Sequence, residues 1–122
     1  KSYNKKIILI DRFTDSTIAY QHYGMGVDLN LIETLNKYLL KNIKVSFTFL
    51  NVVNKKNLQK RLKQRKSLNR YDKFNISFYS KVQKGFIRLS KKQKNKYQLI
   101  NSNLEIDKNE KLILDKIDKL IK

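Results

Sequence analysis

Cysteine, proline and tryptophan are missing from this sequence altogether, and glycine occurs only at Gly24, Gly26 and Gly85. Without cysteine there is no disulfide and no thiolate zinc site, which suits a reducing cytoplasm. A single histidine, His22, cannot build a histidine metal cluster by itself. No apolar run approaches the roughly 20 residues needed to span a bilayer. The chain opens Lys1-Ser2-Tyr3-Asn4 with no hydrophobic stretch behind it, so no secretory signal is expected there. An opening lysine in place of methionine leads us to expect a processed start or a longer parent chain.

Acids are scarce as well: 10 Asp and Glu against 28 Lys and Arg give a formal charge of +18. Such a surplus points toward nucleic acid, but composition offers a blander account. Lysine supplies most of it and is accompanied by abundant Asn and Ile, as in a compositional drift. We prefer that reading, a solvated basic surface; weak, salt-sensitive polyanion binding follows either way. Arginine is the better guide because it is rare, at Arg12, Arg61, Arg65, Arg70 and Arg88. Arginines that persist among lysines mark places where a planar bidentate fork is needed. Arg61, Arg65 and Arg70 fall within ten residues of one another.

What is present suffices for one core: 122 residues, 40% hydrophobic, with no repeat, linker or boundary, read as a single domain over 1–122. Residues 5–10, KKIILI, predict a strand buried on both faces. Residues 28–41 predict a helix with Leu31, Leu35, Tyr38 and Leu39 on one face and Asp28 as its cap or first-turn acid. A second strand is expected over 45–53, then a short basic helix over 55–66 with Leu58 and Leu62 inward. Residues 67–73 break the pattern as a loop. Phe74, Phe78, Val82, Phe86 and Leu89, spaced by four and three, mark one face of a long helix. A third strand follows at 97–100, and a closing helix from about residue 107 carries Leu112, Ile113, Ile117, Leu120 and Ile121. Strands alternating with helices predict an α/β layered domain with a parallel sheet.

The run IILI ends abruptly in Asp11-Arg12. In open α/β sheets ligands gather beyond the carboxyl ends of strands, although a salt bridge closing the strand would also place such a pair there. The polar string that follows favours a ligand. Ser16 and Thr17 offer hydroxyls, Tyr20 an aromatic plate and Gln21 an amide that donates and accepts. If residues 14–22 turn helically, Thr17, Tyr20 and Gln21 lie near one face. A stacking ring beside an amide can hold a base while Arg12 grips a phosphate, which describes a nucleoside monophosphate site.

The stretch DRFTDSTIAYQHYGMGVDLNLIETLN, residues 11–36, resembles the monophosphate-binding signature of the thymidylate kinase family. There an Asp-Arg-aromatic triplet leads into Ser, an Ala-Tyr-Gln triplet and a Gly-x-Gly turn. RLKQRKSLNRYDKF is similar to that family's arginine-bearing lid, FYSKVQKGFIRLS to the helix after it, and VSFTFLNV to the strand before it. The resemblance implies a three-layer P-loop-kinase-like fold with a parallel sheet, incomplete because the first strand and the P-loop are missing. It implies transfer of a phosphoryl group from ATP to dTMP, giving dTDP, in the cytoplasm with Mg²⁺ as cofactor. It also implies a homodimer in the full-length form, with the 28–41 helix a contributor, and neither a membrane nor a specific nucleic acid as partner.

Residue roles follow from the resemblance alone. Asp11 matches the acid near the transferring phosphate and its magnesium, held directly or through water, and Arg12 the arginine on the thymidylate phosphate. Ser16, Thr17, Tyr20 and Gln21 fall where base and sugar are surrounded, Tyr20 beside the deoxyribose. Arg61, Arg65 and Arg70 fall in the lid, about 61–73, which Asp72 closes; Arg65 joins Asp11 and Arg12 as catalytic. Such chemistry needs positioning and positive charge around the moving phosphate, and lid arginines deliver charge only on closure.

Several positions depart from the family pattern. His22 stands for a usual small residue, Met25 for an arginine, Lys44 and Ser46 for Pro-Asp, and Asn51 and Asn69 for aspartates. No Gly-x-x-x-x-Gly-Lys-Ser/Thr loop occurs, so nothing cradles the donor's phosphates. We therefore expect the C-terminal part of a longer enzyme, unable to phosphorylate unaided. Two other classes compete. A basic nucleic-acid-binding module would need aromatics and arginines interleaved on an exposed surface, whereas Phe74, Phe78 and Phe86 sit on an apolar helical stripe. Another nucleoside or nucleotide kinase would not need the Ser16-to-Gln21 pattern.

Overall fold

The computed structural model describes residues 6–64 and 75–122. Two β-branched and aromatic segments, β1 (Thr48–Val52) and β2 (Tyr97–Asn101), pair in parallel from Thr48 opposite Tyr97 to Val52 opposite Asn101. Parallel neighbours need a long crossover. Here it contains α3 (Lys55–Gln64) and α4 (Ile76–Lys92). Ahead of β1 come α1 (Thr14–Thr17), a π-helical segment (Ile18–Gly24) and α2 (Leu29–Leu40); α5 (Ile106–Ile121) follows β2.

The core forms where α4 meets the π-helical segment. Ala19, Phe78 and Val82 are buried together, and Tyr20, Tyr79 and Phe86 pack around them. Phe78, Val82, Phe86 and Leu89 thus turn inward as their spacing predicts; Phe74 lies outside the described residues. The approach is close because two glycines permit it. A Cβ on Gly24 would stand 2.6 Å from the Phe78 ring, and one on Gly85 would stand 2.5 Å from the Tyr23 ring.

Alternation along the strands sorts the helices into layers on both faces of the sheet. Tyr97 faces α1 and bonds to Asp15. The next residue, Gln98, faces the other way, toward α5. Phe47 and Phe49 pack edge to face at 5.2 Å on that second face, where Lys116 of α5 sits 4.7 Å over the Phe47 ring. The result is an α/β arrangement with a parallel sheet between helices. At the end of β1 the Gln83 side chain of α4 donates to the Val53 carbonyl and accepts from the Val53 N–H, both at 3.0 Å.

The structure departs from expectation in three places. Residues 6–10 form no strand, and Ile7, Ile8, Leu9 and Ile10 are 55–80% exposed rather than buried on both faces. A strand exists only by exchanging backbone hydrogen bonds with a neighbour, and among the described residues β1 and β2 pair with each other alone. Residues 18–24 adopt π rather than α geometry, so residues four apart no longer stack one above the other. On α5, Leu112, Leu120 and Ile121 are exposed, and Ile113 and Ile117 are half-buried. Asp28 caps α2 as expected, accepting from the Leu31 N–H at 2.9 Å. Leu58 and Leu62 are half-buried on α3, whereas Leu31, Leu35, Tyr38 and Leu39 on α2 are exposed.

Candidate functional site

The Asp11-Arg12 pair sits in the bend between the apolar run and α1, and both residues are exposed. Arg12 has φ 61°, in the left-handed region that a side chain with a Cβ enters at a cost of about 1–2 kcal/mol. That turn folds the side chain back over the following helix. Its guanidinium lies 4.4 Å from the centroid of the Tyr20 ring, a cation–π contact that fixes the side chain over the segment. Tyr20 is held edge-on by two rings of α4, Phe78 at 5.9 Å and Phe86 at 6.4 Å. The cation therefore rests on an aromatic plate that is itself anchored in the core. Neither of these α4 phenylalanines is an exposed stacking platform: Phe78 is buried and Phe86 half-buried.

Ser16 and Gln21 are half-buried and Thr17 exposed along the same α1-to-π segment. The wider π turn separates Thr17 from the single face expected of an α-helix. The segment closes on itself through the glycine turn. The Gln21 carbonyl accepts from the Val27 N–H at 2.9 Å, and the His22 carbonyl accepts from the Gly26 N–H at 2.8 Å. The His22 ring nitrogen Nδ1 lies 2.8 Å from the Val27 carbonyl, as its donor. Gly26 has φ +81°, the conformation a glycine supplies without strain. His22, one of the departures from the family pattern, is thus a strut of this turn.

Asp15 is the perturbed acid of the region. Burial raises its pKa from the ordinary 3.8, and it accepts the Tyr97 hydroxyl across the sheet. A folded-state pKa above the unfolded one means that the stabilisation present below about pH 3.8 is lost as pH climbs through the raised value. Asp15→Asn keeps an oxygen for the Tyr97 hydroxyl and cannot ionise. Its urea midpoint is expected to exceed the parent's at neutral pH, with the gap narrowing steadily toward acid. A gap that does not change with pH would remove Asp15 as the cause. Sequence reading did not find this pair, because its partners lie 82 residues apart.

Arg61 donates to the Ser102 carbonyl, beyond the carboxyl end of β2. It joins a net of amides there: Asn103 accepts from the Asn54 N–H and the Asn57 side chain, each at 3.0 Å, and donates to Asn101 at 2.8 Å. The other lid residues anticipated, Arg65, Arg70 and Asp72, lie outside the described residues. Arg88, singled out only for its rarity, stands 5.7 Å over the Tyr23 ring. No group of three or more His, Cys, Asp or Glu that could hold a metal occurs among the described residues. A Mg²⁺ ion that keeps most of its waters and shares substrate phosphates needs only one or two carboxylates, so an exposed Asp11 fits an ion of that kind.

A family model described as thymidylate kinase matches residues 1–113. A protein named thymidylate kinase from Wolbachia pipientis subsp. Culex pipiens is 36% identical over 104 residues, 85% of this chain and 49% of that protein. The thymidylate kinase of the Wolbachia of Brugia malayi is 36% identical over 115 residues, 94% of this chain and 54% of its own. One from Trichodesmium erythraeum reaches 41% over 85 residues, 70% of this chain and 38% of that protein. The chain spans about half the length of the first two of these curated relatives.

Proposed function

The chain belongs to the thymidylate kinase family, and on that footing we propose that it supplies the acceptor site for phosphoryl transfer from ATP to dTMP. The observation carrying this reading is the Arg12 guanidinium stacked 4.4 Å over the Tyr20 ring. Arg12 grips the 5′-phosphate of a thymine mononucleotide, and Tyr20 closes on its sugar. Ser16, Thr17 and Gln21 supply polar contacts to base and sugar from the same segment. Asp11 holds a hydrated Mg²⁺ beside the acceptor phosphate, and the ion would neutralise charge on the phosphates. The arginine-bearing segment 61–73 acts as the lid, with Arg61 at the strand ends and Arg65 and Arg70 delivering charge to the donor, and residues 1–122 form one domain.

Positioning accounts for most of such catalysis, since the phosphoryl group passes through a loose transition state with little covalent work for the protein. Among the described residues no helix is long and apolar enough to cross a membrane; the cytoplasmic placement rests on membership of the family alone. The exposed stripe Leu31, Leu35, Tyr38 and Leu39 on α2 supports a homodimer packed through that helix.

Binding of dTMP, dCMP, GMP and thymidine, followed by equilibrium dialysis and by thermal protection, tests the assignment. We expect dTMP to bind most tightly. Thymidine, lacking the phosphate, should bind roughly 10–100-fold more weakly, the worth of charge-assisted hydrogen bonds of about 1.5–3 kcal/mol. Equal binding of GMP, or no protection by dTMP, would defeat the reading.

A further inference from the structure

On the face of the sheet opposite Asp15, an open cavity of about 380 Å³ separates β2 from α5. Its wall is made of Gln98 together with Lys108, Lys111, Asp115, Lys116 and Lys119, with Leu112 as the apolar part. These are all four lysines of α5. The helix also carries four acids, Asp107, Glu110, Asp115 and Asp118, of which only Asp115 reaches the cavity. Compositional drift scatters lysine around a helix. Here the charges are largely sorted by face, so the cavity wall is positive by three while Asp107, Glu110 and Asp118 are not part of it.

The sorting has a cost. Lysines at i and i+3 repel one another on a helix surface, and Asp107 and Asp115, one turn from Lys111 and Lys119, offset this only in part. Lys108 reaches Glu105 at 3.7 Å and Lys116 stands over Phe47. Lys111 and Lys119 have no acidic partner within salt-bridge distance among the described residues, although Asp115 lies one turn from each. From Lys108 to Lys119 the row extends about 16 Å at a helical rise of 1.5 Å per residue. One small anion would satisfy two of these ammonium groups and leave the others facing each other. A linear anion with charge repeated along its length engages them all, and Gln98 adds an amide donor to its oxygens.

We propose that this cavity is a second anion site, distinct from the Arg12–Tyr20 site, and that it binds a phosphate chain: inorganic polyphosphate or the triphosphate tail of a nucleotide. Lysine suits this role as a mobile point charge that follows a flexible chain of phosphates.

Equilibrium dialysis of the protein at physiological salt, with tripolyphosphate, ATP and adenosine as probes, tests it. Tripolyphosphate and ATP are expected to bind and adenosine not. Lys111→Glu/Lys119→Glu should weaken both by about tenfold or more, equivalent to about 1.4 kcal/mol. Lys91→Glu/Lys92→Glu, an equal charge change at the end of α4, should leave both within about twofold. Equal affinities for the two phosphate probes identify the bare chain as the ligand. An ATP affinity well above that of tripolyphosphate, still lost in the α5 variant, identifies the nucleotide tail. Three results overturn the proposal: no tripolyphosphate binding, equal weakening by the α4 variant, or binding that is removed by Arg12→Ala and indifferent to the α5 variant. The last would assign the anion to the acceptor site and leave that assignment standing.

Discussion

Arg12→Ala is expected to weaken dTMP binding by roughly two orders of magnitude while shifting the thermal midpoint little. A guanidinium that hydrogen-bonds a phosphate through two N–H groups contributes about 1.5–3 kcal/mol. Its stacking on Tyr20 adds about 0.5–1 kcal/mol of pocket order at an exposed position. Stability barely moves because alanine inherits the same unfavourable left-handed backbone at φ 61° and Arg12 is not part of the buried core. Arg12→Lys separates charge from geometry: it restores a cation without the planar fork, and we expect it to recover part of the lost affinity and no more. Titration calorimetry with dTMP on the three proteins gives the answer. An alanine variant that binds as well as the parent would take Arg12 out of the site.

Gly85→Ala is expected to destabilise the fold by about 2–3 kcal/mol, against the ordinary preference of helices for alanine, which would by itself favour the change by about 1 kcal/mol. The new methyl group would lie 2.5 to 2.8 Å from Cδ2, Cγ and Cβ of Tyr23. Those atoms lie close to the backbone, so the ring cannot swing away, and α4 must separate from the π-helical segment. The same segment carries Tyr20, so dTMP affinity should fall with stability. Lys84→Ala, one position earlier and exposed, should stay within about 0.5 kcal/mol. Urea midpoints of the two variants make the comparison, and a Gly85→Ala protein as stable as the parent would show that the contact is slack.

Much of this arrangement is written locally. The four-and-three spacing of Phe78, Val82, Phe86 and Leu89 specifies the buried face of α4, and Asp28 sits where a cap belongs. The strand character of β1, with Thr48, Phe49 and Val52, and of β2, with Tyr97 and Ile100, is equally plain. Each of these features depends on residues within a turn or two of each other. The features that escape are those settled at a distance. Ile7–Ile10 is apolar enough to be a strand, yet that state depends on a neighbour's backbone rather than on its own side chains. The π geometry of Ile18–Gly24 has no composition of its own, and Asp15 meets Tyr97 only because the chain has returned through the sheet. At the candidate site, the nearness of Arg12 and Tyr20 was legible because both flank one short helix, although the stacking of one on the other was not. The position of Arg61 beside Ser102 was not, since nothing in the lysine-rich α3 says where its end will rest.

The Gln83 amide has one more implication. The Val52 carbonyl accepts from Ser102 at 2.8 Å on the β2 side, so by alternation the peptide groups of Val53 face the opposite flank of β1. That flank is where a further strand would zip on, from this molecule or from another. Gln83 mimics a peptide unit there and occupies the last rung. Any newcomer must therefore stop short of Val53, which leaves whatever follows its final residue outside the sheet, free to turn toward a ligand.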